Sequence, residues 1–323
     1  MKKKRKLISF DGRVMTLTII LIVIFAAMSI IKGELFYARS NIQAIFSNLS
    51  YDLLLACGMT FVLILGGIDL SVGSILAFVG VILALMLQKG IAVPLAILIA
   101  LGSSVALGGF NGVLVAKFNI APFIATLGTM SILRGICYVL TSGYFIANLP
   151  VSFTNIARGS IAGVPNKIVI SITIMIVLAV LSTRIRNFKQ MYYVGGNSKA
   201  AFLSGIPVVK TIILGYVISG LMAGVAALLM TSTLGMGQAG FGLSFETRAI
   251  AAAVIGGANM HGGEGNFLGT ALGVILVALV NNVFIMFNGS PNWSVGISGI
   301  ILLLAAAIDL IRVNRQTRSE ARK

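Results

Sequence analysis

Apolar runs of roughly membrane length recur along this chain, with very little charge inside them. A helix needs about 20 apolar residues to cross a bilayer core. Ten segments approach that length: 14–31, 49–65, 70–87, 91–116, 121–140, 168–182, 211–231, 246–257, 267–287 and 293–311. The fifth carries Arg134, and the eighth is short and alanine-rich. Charged residues make up 10% of the chain and hydrophobic ones 58%, with a mean hydropathy of +1.04. A soluble domain carries about 25% charged residues. The pattern predicts an all-α polytopic membrane protein of about ten helices, some short or broken, as one transmembrane domain over residues 1–323.

The charge balance is +16, from 24 Lys+Arg against 8 Asp+Glu. Such an excess suits nucleic acid in a soluble protein, but here the cations sit in short loops and at the two ends. They read as topology signals and contacts for anionic lipid, so no nucleic-acid partner is expected. With ten spans, 17 of the 24 basic residues fall on one side and 5 on the other, with Arg134 and Arg248 inside spans. This bias predicts cytoplasmic termini and an even number of spans. The opening Lys2-Lys3-Lys4-Arg5-Lys6 and the apolar run after it resemble a signal peptide. The run is long for one and no small-residue cleavage site follows, so it reads as a retained first span. Cys57 and Cys137 sit singly in apolar segments and read as buried structural thiols.

Polar residues at membrane depth need a reason. The first such group is the turn Gly66-Gly67-Ile68-Asp69-Leu70-Ser71-Val72-Gly73-Ser74. Asp69 or Ser71 can N-cap the third span, or the turn can belong to the transport path or its gate. A second glycine turn, Gly256-Gly257-Ala258-Asn259-Met260-His261-Gly262-Gly263-Glu264-Gly265-Asn266, follows the eighth span. Both begin with Gly-Gly after an apolar helix, which is too little to define a repeat. His261 is the only histidine, so a histidine-pair metal site is excluded. Gly235, Gly237, Gly240 and Gly242 crowd the segment before Glu246 and Arg248. That pair reads as an interfacial anchor, or as a gate or receptor contact. Arg134 can snorkel outward, pair with a carboxylate or line the path. Asn281 and Asn282 read as helix–helix hydrogen-bonding groups. The path-or-gate set is Thr60, Asp69, Ser71, Ser74, Thr126, Arg134, Glu246, Asn281 and Asn282.

Two connections are long. Residues 142–167 are expected outside, as an irregular cap or short helix. Residues 184–210 are expected in the cytoplasm. There Asn197 or Ser198 can cap a short helix over 199–204, Gly205 can end it and Pro207 prevents its continuation. Such a helix suits docking to a soluble partner, and a plain connecting loop is the alternative. No Gly-x-x-x-x-Gly-Lys-Ser/Thr phosphate loop is present, so any ATP used must be hydrolysed by another chain. No nucleophile–base pair suggests an enzyme.

The turn 66–74, preceded by Gly58-Met59-Thr60-Phe61-Val62-Leu63, resembles the signature of permease subunits of ribose-type ABC sugar importers. Three further stretches are similar, in order. They are Ala121-Pro122-Phe123-Ile124-Ala125-Thr126-Leu127-Gly128 through Arg134-Gly135, Val194-Gly195-Gly196-Asn197-Ser198-Lys199-Ala200-Ala201 through Ile206, and Ala249-Ile250-Ala251-Ala252-Ala253-Val254-Ile255-Gly256-Gly257 with Gly269-Thr270. The likeness runs from about Asn41 to Asp309. Asn259-Met260-His261 departs from it, in a turn where small residues are usual. The resemblance implies a bacterial inner-membrane protein paired with a second permease copy or paralogue, ATPase subunits that hold ATP and Mg, and an extracytoplasmic sugar-binding protein. It implies no cofactor on this chain. It makes Gly196, Asn197, Ser198, Ala200, Ala201, Phe202, Ser204 and Gly205 the ATPase-coupling residues.

The reading is an importer subunit that moves a monosaccharide by alternating access. A nucleoside or autoinducer-type importer on the same fold is the rival within the class. An ion-coupled secondary transporter titrating Asp52, Asp69 or Glu246 is the rival outside it. Single cysteines at Ser152 and Ser198, in a chain lacking Cys57 and Cys137, are expected to react with an impermeant maleimide from opposite sides of the membrane. Labelling from the same side would overturn the span count.

Overall fold

A computed structural model describes residues 12–290, 293, 295–304 and 306–307. The basic cluster Lys2–Lys6 and the C-terminal one that begins at Arg312 lie outside the described residues, as do Ser294, Ala305 and residues 308–311 of the tenth expected span. Helices account for nearly all of the described chain. In order they are α1 (Gly12–Tyr37), α2 (Arg39–Ile64), α3 (Val72–Gln88), α4 (Val93–Ala116), α5 (Pro122–Thr141), α6 (Val151–Arg158), α7 (Asn166–Arg184), α8 (Arg186–Gly196), α9 (Ser198–Leu203), α10 (Val208–Leu234), α11 (Phe245–Ile255), α12 (Phe267–Met286) and α13 (Val295–Leu304). Each of the ten expected spans coincides with a helix. Seven of these helices are long and apolar enough to cross a membrane, and α3 and α13 are shorter apolar ones. The connection 142–167 forms α6 and a two-strand hairpin, β1 (Ser160–Ile161) and β2 (Val164–Pro165). Ala162 and Gly163 turn it with positive φ.

The most and the least apolar of the long helices are the reverse of what a soluble core would show. α1 has the highest mean hydropathy, 2.8, and only 22% of its most apolar window is buried. α2 has the lowest among the seven, 1.4, and 83% of its window is buried. In lipid the outer surface is the apolar one, and polar groups must find partners inside. Every residue of α2 from Ser50 to Ile64 is buried. α2, α3 and α10 form the centre, and α4, α5, α7, α11 and α12 pack around them.

Glycines allow the central helices to approach closely. A Cβ on Gly108 of α4 would lie 3.0 Å from the Gly220 Cα of α10 and closer still to the Tyr216 carbonyl. A Cβ on Gly112 would lie 2.8 Å from the Ile213 Cα. These obstacles are backbone, which cannot rotate aside, so small residues set the α4–α10 spacing. Gly102, on the same helix, has nothing within 4 Å. Gly108→Ala should therefore lower the melting temperature in detergent, by the equivalent of about 1–3 kcal/mol of overpacking. Gly102→Ala should leave it unchanged. Equal effects would remove the close-approach account.

Candidate functional site: a broken helix tied to a surface groove

α2 ends in a Schellman-type turn. The Gly66 N–H reaches the Leu63 carbonyl, the Gly67 N–H reaches the Val62 carbonyl, and Gly66 takes φ 77°. α11 ends in the same way. Gly257 (φ 105°) bonds to Val254, and Ala258 to Ala253. An Asx turn follows each. The Ser71 N–H donates to Asp69 Oδ1 at 3.0 Å, and the His261 N–H to Asn259 Oδ1 at 2.9 Å. The two glycine turns noted in the sequence thus share a local conformation.

Asp69 has no solvent exposure. Its Oδ1 also accepts from Ser71 Oγ at 2.6 Å, and its Oδ2 from Ser219 Oγ of α10 at 2.8 Å. Ser71 Oγ in turn accepts from Asn111 Nδ2 of α4 at 2.8 Å, and Asn111 Oδ1 from Thr129 Oγ1 of α5 at 2.6 Å. One directional chain therefore links the broken helix to α4, α5 and α10. The capping expectation is corrected here. Ser71 occupies the N-cap position of α3, but its side chain makes no cap bond. The carboxylate of Asp69 folds its own turn and holds neighbouring helices.

The remaining expected path residues are dispersed around this centre. Ser74 is buried and donates to the Ser71 carbonyl, and Thr126 is buried and donates to the Pro122 carbonyl. Thr60 sits 2.9 Å from Thr270 Oγ1, joining α2 to α12. Arg134 donates through Nη1 to the Ala239 and Phe241 carbonyls. Glu246 lies in the first turn of α11, half-buried. Asn281 bonds back to the Val277 carbonyl, and Asn282 donates to Asn41 Oδ1 at 2.6 Å. Both asparagines keep a buried Oδ1 with no partner. Asp52 and Arg248, read separately in the sequence, form an ion pair at 3.2 Å between α2 and α11. The Arg248 guanidinium also stacks 3.9 Å over the Phe245 ring. Among the described residues, no group of three His, Cys, Asp or Glu could hold a metal.

The α8–α9 segment lies at the same end of the bundle as both glycine turns. The Gly263 N–H donates to the Ile64 carbonyl at 2.8 Å. A Cβ on Gly262 would lie 2.6 Å from the Gly195 carbonyl and 3.0 Å from the Gly66 nitrogen. Tyr192 OH donates to the Gly265 carbonyl at 3.3 Å. The Phe61 ring lies between Phe188 at 5.3 Å and Phe267 at 4.7 Å. Both turns and the end of α8 thus meet backbone to backbone. Tyr192 is mostly buried there, and burial pushes its phenol above the usual range while a hydrogen bond from Ser182 opposes this.

Asn197 caps α9 by accepting the Ala200 N–H at 2.9 Å, and Gly205 takes φ 77° just past its end, as the sequence predicts. The helix runs one residue earlier than expected. Gly196, Asn197, Ala200, Ala201 and Ser204 line one groove with Tyr192, Tyr193 and Ile206, a cavity of about 490 Å³. Ser198 and Gly205 flank it. Phe202 and Leu203 are the outward pair, 71% and 85% exposed. Ala201, named with Phe202 among the coupling residues, is buried in the chain's own wall.

Asn111, Ser219 and the Asp52–Arg248 pair were missed in the sequence. A lone asparagine in an apolar segment is a usable signal, but its partners are 18 and 40 residues away. Asp69→Ala strands the Ser71 N–H and removes the acceptor of two hydroxyls, at about 1–3 kcal/mol for a buried unsatisfied group. Asp69→Asn keeps an acceptor oxygen and is expected to melt between wild type and Asp69→Ala. If Asn destabilises as much as Ala, the negative charge rather than the hydrogen-bond geometry holds the network.

A protein-family model described as "Branched-chain amino acid transport system / permease component" matches residues 41–306. The chain is 35% identical over 313 residues to the ribose import permease protein RbsC of Bacillus subtilis, covering 96% of this chain and 97% of the relative. It is 35% identical over 292 residues to the D-allose transport system permease protein AlsC of Escherichia coli, covering 90% and 89%. It is 34% identical over 269 residues to the autoinducer 2 import system permease protein LsrD of Yersinia enterocolitica, covering 81% of each. No solved structure matches. With a broken, polar-centred helix bundle, a capped surface helix and end-to-end similarity to import permeases, the chain belongs to this family of ABC-importer permease components, whose members carry no ATPase activity of their own.

Proposed function

We propose that this permease moves a ribose-like monosaccharide into the bacterial cytoplasm by alternating access, driven by ATP hydrolysed on a separate subunit. It works beside a second permease copy or paralogue and receives sugar from an extracytoplasmic binding protein. Both termini and the connection 184–210 face the cytoplasm, and 142–167 faces outside, in keeping with the 17-to-5 distribution of basic residues. The sugar assignment draws on the ribose and allose permeases, each 35% identical to this chain. An autoinducer-type cargo is the second reading, favoured by the 34% identity to LsrD.

One observation carries the coupling mechanism: the backbone contact among Gly195, Gly262 and Gly66. A partner seated on Phe202 and Leu203 moves α9, and α8 passes the motion to both glycine turns without an intervening flexible side chain. The α2–α3 turn is anchored through Asp69, so displacement of Gly66 acts on α4, α5 and α10 together. Thr60, Asp69, Ser71, Ser74 and Thr126 serve as the pivot of this motion. Arg134 and Glu246 belong to the gate. Asn281 and Asn282, each with an unpaired Oδ1, offer polar groups to the path.

Phe202→Ser with Leu203→Ser tests this reading. Burying one Phe side chain is worth about 1.5–3 kcal/mol, and about 1.4 kcal/mol is tenfold in affinity. The double variant is expected to insert normally and to lose co-purification with its ATPase by at least about tenfold. It should also lose ATP-dependent uptake in proteoliposomes offered D-ribose, D-allose and autoinducer 2 separately. Wild-type uptake in the variant would remove α9 from coupling. Uptake by wild type driven by a pH gradient alone would overturn the ABC mechanism, and uptake of autoinducer 2 alone would replace the sugar.

A further inference from the structure

The segment between α10 and α11 runs largely within the bundle: Gly237, Ala239, Phe241 and Gly242 are buried, and Leu243 is exposed. Gly235 (φ 72°) ends α10 and turns the chain back along α3. Gly237 exchanges two backbone hydrogen bonds with Ile146, at 2.8 and 2.9 Å. A Cβ on Gly237 would lie 2.7 Å from both the Gly80 carbonyl and the Ala84 Cβ. Five residues later, a Cβ on Gly242 would lie 3.1 Å from the Gly73 Cα. From Gly80 to Gly73, α3 rises about 10 Å. Residues 235–244 therefore enter the bundle by that depth, and α11 begins inside it.

Irregular backbone at such depth persists only when protein groups or a watery cavity satisfy it. Arg134 of α5 supplies that here, donating from one nitrogen to the Ala239 and Phe241 carbonyls. Three positive-φ residues bracket the segment: Gly235, Gly242 and Ser244 (φ 62°). Ser244 carries a Cβ in a conformation that favours glycine, and such positions recur where chains switch between states. Just beyond the segment, the first turn of α11 is fixed to α2 by Asp52 and Arg248. Movement of the segment is thus confined between Gly235 and Ser244. A second acidic group stands near Arg134, beyond ion-pair distance in this arrangement. Glu246 lies within electrostatic range of it, with a carboxylate oxygen 2.6 Å from where a Gly73 Cβ would sit.

We propose that residues 235–244 are a re-entrant gate, closed in this structure, and that Arg134 is the positioning residue that latches it, trading the Ala239 and Phe241 carbonyls for the Glu246 carboxylate when the gate opens. This rests on the permease reading above. The exchange leaves the guanidinium bonded in both states, which is what a cation at this depth requires. It also gives the gate two discrete arrangements.

The test is the reactivity of a cysteine at Ala239, which is buried beneath the latch. The Ala239→Cys chain, lacking Cys57 and Cys137, is assembled with its ATPase in nanodiscs and exposed to an impermeant maleimide. Labelling is expected to be slow in this parent and at least about tenfold faster with Arg134→Met, as for loss of a charge-assisted hydrogen bond. Arg134→Lys, which keeps the charge, should fall near the parent. In the unmutated-latch complex, trapping with ATP and vanadate should change the labelling rate by a similar factor, and Glu246→Gln should shrink that change. A parent rate with Arg134→Met overturns the latch. If Arg134→Met does not assemble, equal rates in the nucleotide-free and trapped states of the parent overturn it. Stimulated ATP hydrolysis by the parent is measured alongside. Its loss counts against the permease reading, whereas unchanged labelling with intact hydrolysis counts against the latch alone.

Discussion

The carboxylate of Asp69 is the interaction on which the centre of the molecule depends. It accepts from Ser71 twice and from Ser219 once, and through Ser71 it reaches Asn111 and Thr129. A charge with no exposure persists only when its hydrogen-bonding capacity is filled. Filling it requires the α2–α3 turn and α10 to hold one arrangement, which Ser71 extends to Asn111 of α4 and Thr129 of α5. Hydrophobic packing alone would not specify it, because lipid is as apolar as the helix faces.

Small residues provide the second constraint. Where Gly108 meets Gly220, and where Gly195, Gly262 and Gly66 converge, backbone touches backbone. The first contact brings α4 against α10, so the Asn111 side chain on α4 and Ser219 on α10 reach the same turn. The second ties that turn to a capped surface helix with an exposed Phe-Leu pair. Rigid backbone contacts transmit small displacements that side-chain rotamers would absorb. The same close backbone packing thus builds the core and joins the surface helix to it.

Irregular backbone in the bundle is placed where partners already exist. The 66–71 turn has Asp69, and the 256–266 turn has Asn259 and the Ile64 carbonyl. The 235–244 segment has Arg134 and the Ile146 backbone. Each breaks a helix or enters between helices; the first two turns close on their own Asp69 and Asn259, and the third borrows its hydrogen bonds from α5 and the Ile146 backbone. Such breaks expose backbone polar groups and offer hinges, which an unbroken helix does not.

Local sequence determined the elements. Apolar length marked ten helices, Asn197 and Gly205 bounded α9, and paired glycines located both broken-helix turns, because these depend on residues within a few positions of each other. Sequence could not rank the helices from lipid to core, since hydropathy does not order them: the least apolar of the long helices, α2, is the most buried, while the strongly apolar α10 is the next most buried. Nor could it pair Asp52 with Arg248, Asp69 with Ser219, or Arg134 with carbonyls 105 and 107 residues away. Only the tertiary structure decided those partners and turned Ala201 inward while leaving Phe202 outside. The reason is that a polar group in a bilayer takes whatever partner folding brings within hydrogen-bonding distance, and sequence spacing does not encode that distance.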